Sequence, residues 1–246
     1  MIGIIVIFLL MIAVRLTSNL DFGCWGIGGF TLLFTAMILH QLLAFKRDIN
    51  KITCPACTEG SLCQKFCQGK ILYFFIALLL SVVMSLSLLS FLILSEKFYL
   101  LIIGMDMFVF HYLFTHWNQT KNKEFVKDAN KVLSEVAINF FNILLLIIML
   151  VALELMYIKE VQMSPEIFST INETVQHSCK VFQHILRTKE FTELSIYAMR
   201  NIESIGDILF AFFYISTLSL FPMTAITLLY KFGVKFQLAI SKKEKA

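Results

Sequence analysis

The chain is short of charge. Only 15% of its 246 residues are Asp, Glu, Lys or Arg, and the 24 residues from Ile71 to Leu94 contain none. Water-soluble cores do not use an uncharged run of that length, whereas a helix crossing a bilayer core needs about 20 apolar residues. Histidine is scarce too: the five present are fewer than a membrane di-iron centre requires. There is no nucleophile elbow, phosphate loop, dinucleotide fingerprint or metalloprotease helix, so the chemistry of soluble enzymes finds no place here. No internal repeat is visible, which leaves an inverted-repeat transporter without direct support. No basic residue precedes the first apolar run and no small-residue cleavage site follows it, so a retained span is expected there rather than a cleaved signal.

What is present is apolar, with 58% hydrophobic residues and 25 phenylalanines. Hydropathy places spans at Ile2–Val14, Phe22–Phe45, Ile71–Leu94, Phe98–Trp117, Val136–Ile158 and Ile205–Tyr230. The first reaches only about 20 Å at the helical rise, and Arg15 would have to snorkel to lengthen it. The expected fold is all-α, a polytopic integral membrane helix bundle of about six transmembrane helices with a small outer amphipathic segment. Trp25, Tyr73, Tyr99, Trp117, Tyr157 and Tyr230 stand at span ends, where aromatic rings sit at headgroup level. Ala77, Ser81 and Ser85 form a small-residue ridge along which a neighbouring helix can approach closely. Pro222 should kink the last span and free the Leu218 carbonyl.

Orientation follows from lysine and arginine. Most of the 21 basic residues fall in 46–70, 118–135 and 231–246, which the positive-inside bias places in the cytoplasm together with both termini. The net charge of +4 is this bias, read as solvated basic loops and a solvated tail, with no nucleic-acid footprint. Three regions result: 1–158, five spans with a cytoplasmic four-cysteine loop at 46–70; 159–204, an extracytoplasmic amphipathic helical segment; and 205–246, the last span and a basic cytoplasmic tail. In the outer segment Ile167, Ile171, Val175, Cys179, Phe182 and Leu186 recur at helical spacing, and a second, shorter piece carries Phe191, Leu194, Ala198 and Ile202. Two such helices cannot form a core alone, so they rest on the bundle, the outer leaflet or a partner chain.

Four of the six cysteines, Cys54, Cys57, Cys63 and Cys67, crowd the first basic loop. Four thiolates are the complement of a structural zinc site, and Cys54-Pro-Ala-Cys57 has the turn of one half, although Cys63-x3-Cys67 is wider than usual. Disulfides or thiol exchange, and palmitoylation near the third span, are the alternatives; the spacing fits neither ferredoxin run. Cys24 and Cys179 both fall on the expected outer side, and spacing does not decide whether they pair.

Ionisable residues within spans cost several kcal/mol and need a partner or a task. Asp106, Glu154 and Asp207 qualify, all in the outer half of the membrane, with no lysine or arginine near them within a span. They are candidates for a site that binds a cation or relays a proton, Asp106 foremost. Ser204-Ile205-Gly206-Asp207 lacks the first glycine of the aspartyl membrane protease motif. His111 is expected to be neutral and hydrogen-bonded near the inner interface. Glu135, Asn139 and Asn142 share one face of the fifth span and could join helices or line a wet vestibule. The leading function is a channel or transporter subunit for an ion or small solute. A structural or assembly subunit of a larger membrane complex, bound to other subunits or to itself, is the alternative. A membrane enzyme such as a thiol-redox protein is the second alternative, and no catalytic residue is identified.

Overall fold

The computed structural model describes residues 1–18, 23–54, 69–94, 97–120, 127–156, 179–199 and 219–243. Among these there are seven helices and no strand: α1 (Ile2–Ser18), α2 (Gly23–Thr53), α3 (Lys70–Leu94), α4 (Lys97–Thr120), α5 (Lys127–Met156), α6 (Lys180–Met199) and α7 (Leu220–Lys243). Four are long and apolar enough to cross a membrane, over Cys24–Lys51, Lys70–Leu94, Tyr99–His116 and Val132–Ala152. Lipid-facing surface is apolar, as a bilayer requires: Leu72, Phe75, Leu79, Leu101, Phe108 and Phe140 are exposed.

Helices outrun the apolar windows where polar groups find partners. Helix α2 continues past Phe45 because Lys46 is buried, donates to the Gly69 carbonyl at 3.2 Å and lies over the Tyr73 ring. Its 31 residues measure about 46 Å, well beyond the roughly 30 Å hydrocarbon core. The ridge on α3 does what its small residues permit. Ala77, Ser81 and Ser85 are buried, and Thr35 of α2 donates to Ser85 Oγ at 3.1 Å.

Helix α7 is the hub. Its residues Met223, Ala225, Ile226, Leu229 and Tyr230 are fully buried, and it packs against α1, α2, α3, α4 and α5. Its approach to α1 is backbone on backbone. A Cβ placed on Gly3 would stand 2.1 Å from the Gly233 carbonyl oxygen, and one on Gly233 would stand 2.6 Å from that of Gly3. Gln237 of α7 also accepts from the Gly3 N–H, one of the first-turn donors that a helix leaves without an internal partner. Pro222 falls in the first turn of α7 as described, where a missing N–H costs nothing; Leu218 lies outside the described residues.

The bundle has two distinct ends. At one, called here the disulfide end, Cys24 and Cys179 are bonded. There Arg15 does not snorkel outward: it donates to the Leu92 carbonyl at 3.1 Å, in the last turn of α3, where cations offset the helix dipole. Lys189 of α6 reaches the nearby Ser90 carbonyl and lies over the Phe91 ring. Helix α6 joins the end of the first expected amphipathic piece to the second without a break and rests on the chain's own bundle through buried Phe182 and Leu186; Ile167, Ile171, Val175 and Ile202 lie outside the described residues. The opposite, lysine end gathers Lys46, Glu135, Lys231 and Lys235.

Candidate functional site

Asp106 sits near the middle of the Tyr99–His116 span and is 1% exposed. The face of α4 that holds it also carries Ile103, Met107 and Phe110, all buried, and packs on α5 and α7. Asn142 of α5, with no exposed surface, donates one hydrogen of Nδ2 to Asp106 Oδ2 at 3.2 Å and the other to Thr227 Oγ1 of α7 at 3.0 Å. One amide thus joins three helices. Tyr230, one turn further along α7, donates its hydroxyl to the Ile103 carbonyl at 2.7 Å.

Several acceptors in this cluster lack a donor. Asp106 Oδ1, Asn142 Oδ1 and Asn139 Oδ1 are buried with no hydrogen-bond partner among the described residues. A buried polar atom left without a partner costs about 1–3 kcal/mol, and most buried groups avoid it. Gln41 of α2 is a further case: it is 1% exposed and both of its amide atoms lack a partner. Asp106 has no ion pair among the described residues, so its charge, when present, is unbalanced within a low-dielectric interior.

A second polar centre closes the lysine end. Glu135 Oε2 takes Lys231 Nζ at 2.8 Å and Lys235 Nζ at 3.0 Å, and the Lys231 and Glu135 side chains are only 3% and 6% exposed. Two ammonium groups converge there on one carboxylate oxygen, with the Phe45 ring beside Lys231. The stripe of Glu135, Asn139 and Asn142 therefore joins helices at both of its ends. Three expectations are corrected here. Lys231 is buried and not part of a solvated tail, because Glu135 balances it. Tyr230 is buried and not at headgroup level, because its hydroxyl caps Ile103. His111 Nδ1 is buried without a hydrogen-bond partner among the described residues.

Of the remaining candidates, Asp207, Cys57, Cys63 and Cys67 lie outside the described residues, as does the side chain of Glu154. Cys54 is disulfide-bonded, which engages the sulfur that a four-thiolate zinc site would use. Among the described residues no cluster of three or more His, Cys, Asp or Glu could hold a metal ion. The Cys24–Cys179 disulfide ties α2 to the start of α6 across 155 positions of sequence.

The sequence singled out Asp106 by its charge within a span, and Asn142 by its place on a polar stripe. It missed Lys231 and Gln41. Both carried a signal: Lys231 follows the apolar run without a break, and Gln41 interrupts the run from Phe22 to Phe45. In comparisons with known proteins, no family model, curated protein or solved structure matches the chain.

Proposed function

We propose that the chain is a channel or transporter subunit that carries an ion or small solute across its membrane, with Asp106 as the central polar site. One observation carries this reading: Asp106 is buried in the bundle with Oδ1 unpartnered, beside the equally unpartnered Oδ1 of Asn142. Intramembrane carboxyls of this kind mark ion and proton pathways, because their insertion cost is otherwise uncompensated. The rival reading, a structural or assembly subunit, draws on the bonds that fasten helices, such as Thr35 to Ser85 and Glu135 to Lys231. Only the first reading makes flux depend on the Asp106 carboxyl.

In this reading α1 and the segment containing α7 also cross, making six spans, and the lysine end faces the cytoplasm. The test is flux into liposomes holding the purified full-length chain. Asp106→Asn, which conserves shape and removes the charge, should lower flux at least tenfold while leaving the helical circular-dichroism signal intact. Undiminished flux in that variant would remove Asp106 from the pathway.

A further inference from the structure

The bonds around Asp106 point to the identity of the ligand, given the transport reading above. Asn142 Nδ2 has two hydrogens and both are committed, one to Asp106 Oδ2 and one to Thr227 Oγ1. The carboxyl and the amide are therefore already joined on one side by N–H···O. On the other side each presents a buried oxygen that accepts nothing from the described residues, Asp106 Oδ1 and Asn142 Oδ1. Each of these two oxygens, one on either member of a hydrogen-bonded pair, lacks a donor.

A single proton resolves both. We propose that the ligand of this site is a proton, carried on Asp106 Oδ1 and donated to Asn142 Oδ1. An O–H bond forms at Oδ1, the carboxylate charge is neutralised, and the existing Nδ2–H···Oδ2 bond persists. Carboxyl and amide then close an eight-atom ring with two hydrogen bonds, and neither group keeps an orphan oxygen. No other bond breaks.

The ionisable groups on the neighbouring helices are committed elsewhere, or stand further along α4. On α7, the Tyr230 hydroxyl is committed to Ile103, and Lys231 is committed to Glu135 with Lys235 beside it. On α5, Glu135 is held by those two lysines. On α1, Arg15 is bonded at the end of α3. On α4 itself, His111 and His116 lie one and a half to three turns further along, and His116 is stacked on Tyr112. A metal cation would meet the two oxygens as well, but it would require the carboxyl to stay ionised, and that is the state the test separates.

The test is infrared spectroscopy of the full chain in detergent, labelled with ¹³C at the aspartate carboxyl and recorded in H₂O and D₂O at the pH of the flux assay. An aspartic-acid C=O band that moves on labelling and on deuteration is expected. It should vanish in Asp106→Asn and move towards the frequency of an unbonded acid in Asn142→Ala. If the labelled wild-type protein shows aspartate only as carboxylate, the proposal is overturned; that measurement needs no variant to fold. A band that Asn142→Ala leaves in place overturns the pairing. The outcome is independent of transport. An acid band without flux preserves the proton and removes the transport reading, whereas flux of another cation with no acid band does the reverse.

Discussion

The two ends of the bundle are fastened by different physics. At the disulfide end the fastenings are a covalent bond between Cys24 and Cys179 and cations placed on the last carbonyls of α3. At the lysine end they are a buried carboxylate shared by two ammonium groups and a glycine-to-glycine crossing of α1 on α7. The cation contacts of the first kind tolerate loss, because backbone carbonyls at a helix end can turn to water or lipid headgroups. The second does not, because removing one member strands charge or forces backbones apart. The difference predicts that the lysine end sets the stability of the bundle.

The largest effect should come from Glu135→Gln, which leaves buried Lys231 without its counter-charge. Breaking a buried pair on one side costs about 3–5 kcal/mol, far more than the pair contributes when intact. Thermal unfolding in detergent should show a large drop, and Glu135→Met combined with Lys231→Met should recover most of it. A single variant as stable as the parent would remove the asymmetry between the ends. Next comes the disulfide. Cys24→Ser with Cys179→Ser should cost about 2–4 kcal/mol by the usual chain-entropy argument, and towards the lower figure here, since inserted helices already restrict the unfolded chain. If the lysine end faces the cytoplasm, the Cys24–Cys179 bond lies on the oxidising side and the Cys54 disulfide on the reducing side, where stable disulfides are rare. An impermeant thiol reagent on vesicles of known orientation, after mild reduction on each side in turn, should reach Cys54 from the cytoplasmic side alone.

What could be read in the sequence follows the same division. Hydropathy located the long apolar helices, since lipid contact acts on composition directly, and a charge inside a span marked Asp106 before any contact was known. The ridge of Ala77, Ser81 and Ser85 was legible because small side chains have one obvious use between helices. Partners were not legible. That Asn142 bridges Asp106 and Thr227, or that Lys231 turns inward to Glu135, depends on how α4, α5 and α7 rotate against one another, and no periodicity encodes that rotation. Lysine at the end of a span serves equally as a topology signal or as half of a buried pair. Only the neighbouring helix decides.

The glycines give a sharper form of the comparison, since one residue type is tested at both ends. Gly3→Ala puts a methyl group within 2.1 Å of a backbone oxygen that has no rotamer with which to retreat. Helices α1 and α7 must separate, at about 1–3 kcal/mol, the usual range for overpacking. Gly29, near the disulfide end of α2, has nothing within 4 Å of the added carbon. Gly29→Ala should be neutral or stabilising by up to about 1 kcal/mol, because alanine is the better helix former. Equal losses for the two variants would mean that the crossing of α1 and α7 is not a tight point of the bundle.

The smallest effect belongs to the hydroxyl pair between the ends. Thr35→Val keeps the shape of the side chain and removes its bond to Ser85. Hydrogen bonds between membrane helices average about 0.6 kcal/mol, because a separated hydroxyl finds another acceptor in its own helix. Ser85 loses only a donor to its oxygen and keeps its own hydroxyl hydrogen, which can bond a carbonyl one turn back as that of Ser81 does to Ala77. The loss should therefore stay under about 1 kcal/mol, several times below that of Glu135→Gln although both bonds are buried. Stranded charge, and not burial, would then account for the gap. A Thr35→Val loss as large as that of Glu135→Gln would instead show that any buried polar bond in this bundle is equally costly to break, and the contrast between its ends would dissolve.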